Sequence, residues 1–135
     1  MRLLICRSHL TKVRNKVAES DTELVFIGIG RSNQQEFIVE KIYECKNISD
    51  NPRIKFYADP ICIYEVHKEA ELSNRSIVLL IHSHPTSPEP SYEDEQNMKI
   101  WPIPWLIIDS STGESKAWII KNNKLLEINI DICSC

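Results

Sequence analysis

Ser76-Ile77-Val78-Leu79-Leu80-Ile81-His82-Ser83-His84-Pro85 is the stretch on which the reading of this chain turns. Its first seven residues form a nearly unbroken apolar run of strand length, the pattern of a strand buried on both faces. Two histidines then fall one residue apart, where the apolar run gives out and proline stops it. On an extended segment residues two apart point to the same side, so both imidazoles aim at one point just past the strand end. Residues 85–90 are a proline-rich loop. Ser91 then opens a short helix that stops before Pro102.

Working outward, residues 2–6 read as a short strand. Ser8 can cap a helix that carries Leu10, Val13 and Val17 on one face and ends near Asp21. Residues 23–30 read as a buried strand opened by a lone carboxylate, Glu23, and residues 36–45 as a second strand. A polar loop over 46–52 follows, then a candidate strand from Arg53 to Tyr57. Asp59-Pro60 starts a helix that runs to about Ser73, because Asp caps free amides and Pro fits the first helical position. Residues 103–109, 115–120 and about 124–130 read as three more strands, with Gly113 in the turn between the first two. Strands and helices mix without strict alternation, so the expected class is α+β, a mixed α/β sheet. One domain over residues 1–130 is expected, followed by a frayed tail over 131–135.

The chain has 135 residues, 42% of them hydrophobic and 26% charged, enough for a core without disulfide staples. The net charge of −3 and the lack of a strong basic patch argue against nucleic acid as a partner. No stretch is apolar for long enough to span a membrane, and no export signal is visible. Five scattered cysteines then point to a reduced, cytoplasmic setting. Cys133 and Cys135 read as incidental thiols of the tail.

The chemistry gathers in residues 82–94. Two His and one carboxylate, with a fourth position left for water, is a recurrent catalytic zinc arrangement. Asp94 is the best third ligand, since it lies in the first turn of the helix that follows the loop. Alone, His-x-His is weak evidence, and Ser91-x-x-Asp94 alone is a capping box. Together they end a buried strand and begin a helix across a loop stiffened by three prolines. A hydrolytic site also needs a proton carrier. Glu23 is the candidate, because an acid at the entry of an apolar strand is costly without a partner or a task. His9 and His67 sit among charged residues in predicted helices and read as surface histidines.

An upstream Glu, then His-Ser-His-Pro, then Ser-x-x-Asp resembles the JAMM (MPN-plus) zinc metallopeptidases over nearly the whole chain. Glu23 with Gly30, Phe56-Tyr57-Ala58-Asp59-Pro60, and Pro104-Trp105-Leu106-Ile107-Ile108 resemble flanking segments of that family. The resemblance implies a strongly curved mixed sheet flanked by helices, of cytidine-deaminase-like architecture. It implies one Zn2+ per chain held by His82, His84 and Asp94. Glu23 would serve as general base and then acid, and Ser91 would donate to the oxyanion. Two departures stand out. Nine residues separate His84 from Asp94, one fewer than is usual, and the shortening falls before Ser91. Phe26 stands where the family usually has glycine.

The substrate class so implied is a ubiquitin-like or sulfur-carrier protein cut after its C-terminal Gly-Gly, as small stand-alone prokaryotic members do. Alternatives are a peptidase that frees cysteine from a sulfur carrier, a non-catalytic MPN scaffold, and a RadC-like protein associated with DNA repair. RadC-like chains more typically carry Asn between the histidines, where this chain has Ser83. Nothing in the sequence signals an oligomeric state.

Overall fold

The computed structural model describes residues 1–134. Ten elements follow in order: β1 (Arg2–Cys6), α1 (Arg7–Ala18), β2 (Val25–Ser32), β3 (Glu36–Cys45), α2 (Pro60–Leu72), β4 (Ser76–His84), α3 (Tyr92–Ile100), β5 (Trp105–Asp109), β6 (Ser115–Lys121) and β7 (Lys124–Cys133). The strands lie in the order β1-β3-β2-β4-β5-β6-β7, and β7 pairs back on β1 to close a barrel. β1 runs parallel to β3 and β7, and β4 parallel to β5; the other pairs are antiparallel. The expected curved mixed sheet is thus present, curved to closure.

Two apolar layers hold the sheet. Leu10, Val13 and Val17 of α1 pack with Phe26, Leu79, Ile81, Leu106 and Ile108 on one face. Val66 and Ala70 of α2 and Met98 of α3 pack with Val25, Ile27, Leu80 and Trp105 on the other. β2, β4 and β5 are therefore sandwiched, which is why they read as apolar runs rather than alternating ones. Phe26 faces the α1 layer at 3% exposure. Its bulk in place of the usual glycine is absorbed there, on the face of β2 away from the α2 and α3 layer.

Register shifts lie on both sides of β2, the extra residue falling each time on its neighbour. Pairing skips Glu40 of β3 between Ile29 and Gly30, and Val78 of β4 between Gly28 and Ile29. Such bulges kink a strand and tighten its twist. At Gly30 a Cβ would sit 1.9 Å from the Ile38 carbonyl oxygen, so this close approach admits no side chain there.

Four expectations change. Arg53 to Tyr57 form turn and irregular chain, not a strand. Polar groups of Lys55 and Tyr57 are met instead by Asn47 and by the Ile48 N–H, which donates to Tyr57 O at 2.8 Å. α1 starts directly from Cys6, without a side-chain cap from Ser8. β7 runs on to Cys133 through pairs with Leu4, Ile5 and Cys6, so residues 131–133 are sheet rather than tail. Backbone pairing across the barrel seam does this, and no local signal announces it. Cys135 lies outside the described residues, and Cys133 is an exposed free thiol. Finally, Cys45 and Cys62 form a disulfide, against the expectation of reduced cysteines and a core free of staples. The fold brings the end of β3 and the first turn of α2 to a Cα separation of 5.6 Å, within bridging range.

Candidate active site

The site forms where three elements end together. β4 delivers His82 and His84. α3, the crossover between parallel β4 and β5, delivers Asp94 from its first turn. The chain entering β2 delivers Glu23, because antiparallel pairing sets Val25 opposite His82. Ser83 ties the two strands at this point: its hydroxyl accepts from Leu24 N at 2.8 Å and its own N–H donates to Leu24 O at 3.1 Å. Glu23 stands just ahead of β2 rather than inside it, and is 3% exposed.

His82 is fully buried. Its Nδ1 lies 3.0 Å from the Ser83 carbonyl and 3.4 Å from Glu23 Oε1. A carbonyl only accepts, so a proton sits on Nδ1, and Nε2 is the nitrogen left to bind a metal in exchange for its own proton. Nε2 has no hydrogen-bond partner and faces Asp94 Oδ2 at 3.3 Å. His84 Nε2 lies 3.8 Å from the same oxygen. Asp94 and Ser91 close a capping box: Ser91 Oγ accepts from Asp94 N at 3.0 Å, and Asp94 Oδ2 accepts from Ser91 N at 2.9 Å. The cap thus locks the carboxylate that the histidines face. It uses Ser91 Oγ as an acceptor and leaves the hydroxyl proton available.

Burial works against charge on His82, but the Asp94 and Glu23 carboxylates beside its two nitrogens outweigh it and raise its pKa to about 9 in the metal-free protein. Burial likewise opposes charge on Asp94, and His82 with the Ser91 N–H holds its carboxyl below the usual range. A buried imidazole surrounded by acids, with one nitrogen orphaned, is a place that attracts a cation. Two donors on one tetrahedral zinc stand roughly 3.4 Å apart, so the 3.3 Å and 3.8 Å separations suit it. Among the described residues no three such side chains already form a closed cage; the fit rests on the shared oxygen and the unpaired Nε2.

Aromatic rings wall the histidines. Phe56 lies 4.6 Å from His82 between ring centroids, and Trp105 meets His82 edge-on at 5.9 Å. Ile54, Lys55 and Phe56 cover one side of a narrow cleft of about 30 Å³ that Glu23, His84, Ser91, Asp94 and Asn97 also line. The loop from His84 to Asp94 is held from β6: the Trp118 indole N–H donates to Pro88 O at 2.9 Å, and Lys116 pairs with Glu89 at 3.1 Å. The sequence reading missed Ser83, Phe56 and Trp118. Ser83 stands inside the quoted motif, but its role needs a partner on β2.

All five predicted residues meet here. Asp94, not its neighbour Glu95, points at the histidines, so the short loop keeps the register read from Ser91. His9 and His67 lie elsewhere, on α1 and α2.

Residues 7–121 match the Prok-JAB family, described as prokaryotic homologs of the JAB domain. This chain belongs to that family. It is 34% identical over 130 residues to a desampylase of Pyrococcus furiosus, covering 95% of this chain and 89% of that protein. It is 28% identical over 102 residues to a probable TtuB-protein conjugate cleaving protease of Thermus thermophilus, covering 75% of this chain and 61% of that one. The solution structure of protein DSY2949 from Desulfitobacterium hafniense superposes with a TM-score of 0.84 at 23% identity, over 100% of this chain and 94% of that one. That likeness is one of fold. Among the described residues no helix of this JAB-family chain is long and apolar enough to cross a membrane.

Proposed function

We propose that this JAB-family chain is a zinc-dependent isopeptidase, acting in the cytoplasm on ubiquitin-like or sulfur-carrier conjugates after a C-terminal Gly-Gly. The observation that carries the reading is the convergence of His82, His84, Asp94 and Glu23 on one buried cleft end. His82, His84 and Asp94 would hold one zinc. Bound there, the metal supplies Lewis-acid polarisation and a nucleophilic water at neutral pH.

The remaining work falls to side chains of the protein. Glu23 takes the proton of the attacking water through Oε2, which has no other partner, and passes it to the leaving lysine amine. The Ser91 hydroxyl donates to the carbonyl oxygen as it gains charge. Exposed Ile54, Tyr57, Ile61 and Tyr64, on the covering loop and the start of α2, suit a protein-sized substrate. The two named relatives support the same class of substrate through their conjugate-cleaving descriptions.

Replacing Glu23 with Gln tests the mechanism. Zinc content is expected to hold while cleavage of a Gly-Gly-tailed isopeptide conjugate falls by roughly 10²–10⁴-fold. Full activity with zinc retained would exclude Glu23 as the proton carrier.

A further inference from the structure

We infer that Asn47 is a positioning residue for Glu23, a reading that rests on the function proposed above. Asn47 belongs to no strand or helix; it lies just after β3, in the loop that the Cys45–Cys62 disulfide closes. Its side-chain amide uses its full bonding capacity. Nδ2 donates to Glu23 O at 2.8 Å and to Lys55 O at 3.0 Å. Oδ1 accepts from Ser49 N at 3.0 Å and from Tyr57 N at 3.0 Å. Two carbonyls on one side and two N–H groups on the other leave no choice of amide orientation.

Each of these bonds bears on the cleft. Glu23 has no ladder to hold it, since β2 begins only at Val25. Its main chain is held instead from this loop: Glu23 N donates to Pro52 O at 2.6 Å, and Glu23 O receives Asn47. The same amide fixes Lys55 and Tyr57 on either side of Phe56, the ring that stacks against His82. Asn47 therefore couples the carboxylate that moves the proton to the wall of the metal site, while touching neither substrate nor metal ligand. A proton carrier displaced by about 1 Å can lose on the order of 10²-fold in rate.

Asn47→Asp separates this role from a merely structural one. It keeps the acceptors for Ser49 N and Tyr57 N, but turns the donors to Glu23 O and Lys55 O into an oxygen that repels both carbonyls. With an isopeptide-linked, Gly-Gly-tailed ubiquitin-like conjugate as probe, kcat is expected to fall by about 10- to 100-fold. KM and zinc content should change little, and the melting temperature should fall only modestly. In the Glu23→Gln background, assayed at high enzyme concentration, Asn47→Asp should cost nothing more, because residues acting as one unit are not additive. Amide hydrogen exchange at Glu23 should quicken in the zinc-free single variant. Unchanged kcat, or an equal loss with and without Glu23, overturns the inference. If the wild-type chain cleaves no such conjugate, the functional reading fails instead, and the exchange rate at Glu23 alone decides the place of Asn47: quickened supports it, unchanged overturns it.

Discussion

The two halves of the cleft are built in different ways. The half proposed to hold the metal stands on regular structure: His82 and His84 end β4, and Asp94 sits in the capped first turn of α3. Its members lie within a short stretch of chain, and the capping box holds Asp94 by two local bonds. The base half stands on irregular chain. Glu23 precedes its strand, and a loop from a distant part of the sequence holds it through Asn47 and Pro52. On the proposed function, the site takes its metal ligands from rigid, local elements and its proton carrier from a supported loop. Damage to the first half should empty the site, whereas damage to the second should leave it loaded and slow.

The largest expected break is in the metal half. Asp94→Ala removes a proposed ligand and one arm of the capping box together. Zinc binding and cleavage should both be lost, and the metal-free fold should lose about 1 kcal/mol from the cap. Metal analysis and denaturant melts check both effects, and zinc retained at full occupancy would remove Asp94 from the ligand set.

The base half should yield next. Cys62→Ser opens the loop that the disulfide closes across a separation of 17 residues. Chain-entropy arguments assign such a loop about 3 kcal/mol. Stability should fall by up to that amount, with zinc content kept and kcat lowered more than KM is raised. Loss of zinc in this variant would show that the two halves are not separable as described.

The smallest effect is one of pH. His82 titrates at about 9 rather than 6.5 in the metal-free protein, where Asp94 and Glu23 favour its charged form. A folded-state pKa raised in this way adds stability that is full below about 6.5 and fades as pH rises through about 9. The melting temperature of the metal-free protein should therefore fall between pH 7 and pH 9. Zinc competes with that proton for the ring, so the rise in melting temperature on adding zinc should grow over the same range. Paired melts with and without zinc measure it; a zinc effect that shrinks with pH would contradict the assigned pairing.

Much of the molecule was legible in its residues. The apolar run before His82 marked a strand covered on both faces, and Asp59-Pro60 marked the start of α2. Ser91-x-x-Asp94 read correctly as a cap, and that cap proved to be what holds Asp94 in place. Arg53 to Tyr57 misled, because an alternation of polar and apolar residues also suits a loop that keeps Phe56 inward and Tyr57 outward. The end of β7 was cut short, since its last pairs are made with β1, more than a hundred residues away.

Sequence by itself determined which side chains of β4 and α3 come together, because strand alternation and helix capping act over a few residues. Tertiary structure alone decided where Glu23 stands, that Asn47 and Pro52 hold it while Ser83 holds Leu24 beside it, and that Cys45 meets Cys62. Those outcomes depend on barrel closure and on strand register, which are set by side chains packing across the whole sheet. The short loop between His84 and Asp94 shows both at once. Its cap is local, and its apex is held by Trp118 from a strand that no nearby residue announces.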